Sequence, residues 1–124
     1  MKCFGSWLVA FGCLFSLPLA APEVAPGADA KPAIKDVMKA AHKKPKELLK
    51  KVATGVATGA EKVELVKLYQ ALATLRPPRG EAASWEEKTK ALLAAARAAA
   101  EDKPEAAAEL NRVANCAACH DAHK

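Results

Sequence analysis

Residues 115–124 read Asn115-Cys116-Ala117-Ala118-Cys119-His120-Asp121-Ala122-His123-Lys124. Two cysteines three positions apart, with a histidine directly after the second, form the C-x-x-C-H spacing by which c-type haem is attached. On a helix Cys116, Cys119 and His120 stand at i, i+3 and i+4, so their side chains share one face. The two thiols can then reach two carbons along one haem edge, while the His120 imidazole turns to the iron from below the ring. Covalent attachment also removes the entropic cost of holding a large ring in a small domain.

The position of this segment carries information of its own. Asp121, Ala122, His123 and Lys124 are all that follow the motif. A second axial ligand on the iron must therefore come from upstream or be absent. The cover for the haem must come from preceding helices.

The same residues admit other chemistries. A redox-active C-x-x-C of thioredoxin type sits after a strand, at the start of a helix, near βαβ patterning; here it is expected near the end of the last helix of an all-helical chain. Zinc could draw on Cys116, Cys119, His120 and His123, but four ligands within eight residues make poor tetrahedral geometry. A disulfide or an inert thiol pair is the plainest alternative.

At the other end, the first 30 residues, MKCFGSWLVAFGCLFSLPLAAPEVAPGADA, are not expected to belong to the fold. Lys2 supplies a positive start, Cys3 to Leu17 is almost uninterruptedly apolar, and Pro18 precedes small residues. That is a secretory signal peptide, taken as residues 1–21. Cuts after Ala20 or Ala21 fit, and Ala28-Asp29-Ala30 offers a later site at residue 30. The apolar run falls short of the roughly 20 residues a membrane span needs. A lipoprotein with Cys13 acylated would cut the apolar segment short. Residues 22–30 read as a Pro/Ala/Gly linker, and the expected location is the bacterial periplasm or another exported compartment.

Removing the leader takes Cys3 and Cys13 with it and leaves Cys116 and Cys119 alone, so no disulfide framework is available. Phe4, Trp7, Phe11 and Phe15 go too, leaving Tyr69 and Trp85 as the aromatics. A core of Ala, Leu and Val is thin for about 100 residues. A large apolar cofactor would complete it. The whole chain carries a net charge of +5. Lysines spread along helices favour partner proteins with acidic docking surfaces over nucleic acid, for which no basic arm interleaved with aromatics is present.

Residues 31–124 read as helix throughout. Lys31 to Lys43 carries Ile34, Val37, Met38 and Ala41 on one stripe, with Pro32 in the first turn. A short piece, Lys46 to Val52, follows Pro45. Thr58-Gly59-Ala60-Glu61 is a capping box opening a helix whose apolar face includes Val63, Leu65, Val66, Leu68, Tyr69, Leu72 and Leu75. Pro77-Pro78-Arg79-Gly80 ends it. Ser84-Trp85-Glu86-Glu87 reads as a second capping box, before a helix with Trp85, Leu92, Leu93 and Ala96. Asp102-Lys103-Pro104-Glu105 opens the last helix, which carries Ala108, Leu110, Val113, Ala117 and the cysteines. Four amphipathic helices with short connections predict an all-α fold, an antiparallel four-helix bundle with haem on the C-terminal helix.

The whole pattern resembles the class II c-type cytochromes, the cytochrome c-556 and cytochrome c′ group. The residues that carry the resemblance are the Cys116-Ala117-Ala118-Cys119-His120 pentad, Lys35-Asp36-Val37-Met38-Lys39 in the first helix, and the ending His120-Asp121-Ala122-His123-Lys124. It implies a four-helix bundle, covalent haem on Cys116 and Cys119, and His120 as the proximal iron ligand. In that group an aromatic and then a basic residue commonly follow the haem histidine; here His123 stands for the aromatic, and Lys124 is placed to approach a haem propionate. The resemblance makes Met38 the distal ligand, as in c-556, whereas c′ proteins leave that face empty. Met38 is also the one methionine beyond the leader, and filling a core gap is the commoner use of such a residue.

His42 stands one turn beyond Met38 and is the alternative distal ligand, which would lower the potential relative to Met. As part of His42-Lys43-Lys44 it reads more simply as a solvated histidine. With both axial sites filled the protein is expected to be an electron carrier rather than an enzyme. With the distal site open it would bind NO or CO. A homodimer through exposed helix faces is compatible with either.

Overall fold

Where the chain lacks alternating β-branched runs it folds without strands: among the residues that this computed structural model describes, 32–124, all regular structure is α-helix. The expected signal peptide and linker lie outside the described residues. Six helices follow in order: α1 (Ile34–His42), α2 (Leu48–Ala53), α3 (Gly59–Thr74), α4 (Ala82–Ala100), α5 (Ala106–Val113) and α6 (Cys116–His123).

The Thr58 box forms as read. Thr58 Oγ1 accepts the Glu61 amide (3.2 Å), and the Glu61 carboxylate accepts the Thr58 amide (2.9 Å). The first helix begins later than its periodicity suggests, at Ile34, with the Asp36 carboxylate accepting the Ala33 amide (3.3 Å). Pro32 therefore stays outside it.

Two other starts differ from expectation. Ser84 is no cap: α4 begins at Ala82 after Glu81, so Ser84 lies inside the first turns and turns its hydroxyl to His123 and Lys88. The expected single last helix begins only at Ala106, after Glu105 in left-handed conformation (φ 62°), and it breaks at Ala114–Asn115. Asn115 then caps a new helix by accepting the Ala118 amide (3.0 Å). The motif therefore opens a helix of its own.

Helices α3 and α4 form an antiparallel hairpin tied at both ends. Lys62 near the start of α3 pairs with Asp102 just past α4. At the other end the Trp85 indole N–H donates to the Leu75 carbonyl (2.8 Å). α5 and α6 return along α4, while α1 packs on α3 and α2 sits among α1, α3 and α5. The core is small: Val37, Leu48, Leu65, Tyr69, Leu72 and Leu110 are essentially sealed from solvent, with Ala95, Ala96 and Ala99 filling the inner face of α4. Alanines there let helix axes approach closely. Val63, read as part of the apolar face of α3, is instead 49% exposed, and Ala108 and Ala117 also face outward. Among the described residues, no helix is long and apolar enough to cross a membrane.

Candidate functional site

Cys116, Cys119 and His120 fall in the first two turns of α6, and all three line one cleft of about 430 Å³. Met38 and His42, one turn apart on α1, line the same cleft from a helix more than seventy residues upstream. Ile34, Leu72, Trp85, Leu92 and Val113 supply apolar walls, and Lys35, Lys43, Lys88 and Lys124 stand among the lining residues. The volume lies within the roughly 300–1,000 Å³ of cofactor pockets, and the chemistry is that of such pockets: apolar surface with a few convergent polar groups. Both thiols, the adjoining imidazole and a thioether on a different helix thus meet in one space. That donor set fits a covalently held haem.

The two thiols are free and differ in setting. Cys116 is exposed, with its sulfur 3.6 Å from the Ala114 carbonyl. Cys119 is half-buried, and burial pushes its thiol pKa up, opposed by the Lys88 charge and reinforced by Cys116.

His42 is not the solvated histidine that its lysine neighbours suggest. It is half-buried, its ring lies 5.9 Å from that of Tyr69 at 31°, and its Nε2 is 3.5 Å from the Tyr69 hydroxyl. Burial lowers its pKa, and the charge of His120 lowers it further. Tyr69, sealed in the core, has its own pKa raised well above the usual phenol range by burial, with Cys116 adding to the effect. The sequence offered no sign of this pair, whose members lie 27 residues apart.

His123 is a second feature that the sequence left open. It is 3% exposed and stands where the resemblance placed an aromatic side chain, and it packs as one. Its ring meets the Trp85 indole edge-on. Nδ1 lies 3.2 Å from the Arg79 carbonyl and Nε2 lies 3.2 Å from Ser84 Oγ. A carbonyl can only accept, so Nδ1 carries the proton and Nε2 accepts from the Ser84 hydroxyl. Lys88 Nζ donates to the same Ser84 oxygen (2.9 Å). Gly80, at φ +89°, closes the cradle; a Cβ there would run into the Ala122 carbonyl and the His123 ring. Both nitrogens of His123 are thus engaged by Arg79 and Ser84, which leaves neither free for a four-ligand zinc set. Among the described residues no cluster of three or more His, Cys, Asp or Glu is arranged to hold a metal ion. The dithiol alternative gains a helix start but lacks the strand it needs, since none lies among the described residues.

Comparison of the chain with protein-family models, with curated proteins and with solved structures returns no match.

Proposed function

We propose that this chain is an exported monohaem c-type cytochrome of class II type that carries electrons between partner proteins. One observation carries the reading: Cys116, Cys119 and His120 share a single apolar cleft with Met38, a residue of opposite sequence location and matching ligand chemistry. In this reading each broken pair, α1 with α2 and α5 with α6, counts as one rod beside α3 and α4, giving a four-helix bundle.

When bound, haem c supplies a one-electron Fe(III)/Fe(II) couple. Cys116 and Cys119 would hold it by thioether bonds, and His120 and Met38 would supply its iron ligands, with His42 as the alternative to Met38 on the same helix. Lys124 offers a propionate its charge. The apolar walls from Leu72, Trp85 and Leu92 exclude water and raise the cost of charge in the cleft, which is how a protein tunes such a couple. His123 holds the end of α6 against α4 and so fixes the helix that carries His120.

The visible spectrum of protein made with haem-attachment machinery tests this. Sharp α and β bands on reduction, altered by substitution of Met38, are expected. A high-spin spectrum that converts on adding CO would replace the carrier by a five-coordinate NO- or CO-binding protein. Absence of a Soret band would remove both.

A further inference from the structure

The net charge of the chain is not spread evenly. Between residues 32 and 46 there are five lysines against one aspartate, in a chain whose whole excess is +5. Lys35, Lys39 and Lys43 recur every four residues along α1 and its cap, which sets them about 6 Å apart along one helix face. Lys44 follows directly. All four are exposed, and none forms an ion pair among the described residues, whereas elsewhere Lys62 pairs with Asp102 and Lys90 with Glu86. Asp36, the one acid in this stretch, spends its carboxylate on the Ala33 amide.

This stripe adjoins the cleft. Lys35, Asp36, Lys39, Lys43 and Lys44 line a shallow groove, and Lys35 and Lys43 line the cleft as well. A partner seated on the lysines therefore rests at the cleft's lip.

We infer that the Lys35–Lys39–Lys43–Lys44 stripe is the docking surface for an acidic protein, which meets the molecule at the edge of the cofactor cleft. The inference rests on the electron-carrier reading for its purpose, though not for its geometry. Unpaired like charges gathered on one face steer an oppositely charged partner and hold it only as long as salt allows, which suits a brief encounter. A membrane surface is disfavoured because a helix that binds one lays its apolar face into the lipid. The apolar residues of α1 are already committed: Val37 and Ala41 are buried in the core, and Ile34 and Met38 pack against it.

The test uses the purified mature protein, isotopically labelled, titrated with poly-L-glutamate at low ionic strength and followed by NMR. Amide shifts are expected to cluster on residues 35–44. Lys35→Gln/Lys39→Gln/Lys43→Gln should weaken binding about tenfold or more, while Lys50→Gln/Lys67→Gln/Arg97→Gln, equal in charge lost, should change it little. Equal weakening by both triples, or shifts centred elsewhere, overturns the proposal. So does stripe-dependent retention on phosphatidylglycerol vesicles without poly-L-glutamate binding, which would assign the surface to lipid. None of these readouts uses haem. Shifts on α1 in a protein that lacks haem would keep the docking surface and sink the carrier reading; a haem spectrum without them would do the reverse.

Discussion

The imidazole of His123 stands edge-on to the indole of Trp85, with ring centroids 5.4 Å apart and planes inclined at 76°. Trp85 is itself fixed by its bond to the Leu75 carbonyl, so the contact joins the last turn of α6 to the tied end of the α3–α4 hairpin. His123 is the one buried residue of α6. The orientation of the motif helix thus depends on a side chain one turn beyond His120.

His123→Ala should therefore cost about 1–3 kcal/mol, the sum of a lost aromatic edge contact and an unpartnered carbonyl. Gly80→Ala should cost more than about 1 kcal/mol, because φ +89° and the neighbouring Ala122 and His123 both oppose a Cβ. Chemical denaturation gives the cost. Hydrogen exchange should show the α6 amides opening in both variants ahead of those in α3.

Met38→Leu separates ligation from packing. The swap keeps volume and apolar character, so stability should change by less than about 1.5 kcal/mol. The reduced spectrum should nevertheless lose its low-spin character, because a hydrocarbon cannot bind iron. An unchanged spectrum would pass the distal role to His42.

Alkaline pH should act through Tyr69. Its folded pKa is raised above the ordinary phenol value of 10.0, first by burial and then by Cys116. The unfolded chain therefore gives up the phenolic proton first, and stability is full below about pH 10 and falls as pH rises beyond it. Tyr69→Phe should flatten that slope. Ultraviolet titration of the native protein should show no Tyr69 phenolate before the unfolding transition.

Cys116→Ala/Cys119→Ala would remove the proposed covalent attachment from the cleft. With a core dominated by leucine, valine and alanine, the resulting chain should unfold non-cooperatively or at much reduced temperature, measured by circular dichroism. A cooperative transition near that of the unaltered protein would show that the helices stand without the cofactor.

Local signals are legible in the sequence. The Thr58–Glu61 box depends on two residues three positions apart, and it forms as its spacing predicts. The apolar stripe of α1 buries Val37 and Ala41 and brings Met38 to the cleft. Sequence and structure part where a distant partner outbids a neighbour. Ser84 has the spacing of a cap, yet its hydroxyl serves His123, 39 residues away. His42 sits among lysines, yet Tyr69 draws it inward. The break before the motif has a local signal: Asn115 is a favoured N-cap residue directly ahead of Cys116.

The hairpin tied by Lys62–Asp102 and Trp85–Leu75 has a consequence for the cleft that it helps to wall with Leu72, Trp85 and Leu92. One wall, α1, is hung on α3; the other, α6, is hung on α4. The width available to a cofactor is thereby gauged by the seam that α4 makes with its neighbouring helices, where Ala95, Ala96 and Ala99 are buried and too small to prop the rods apart. Enlarging an alanine on that seam would act as a shim, widening the gap between Met38 and His120 without altering either residue.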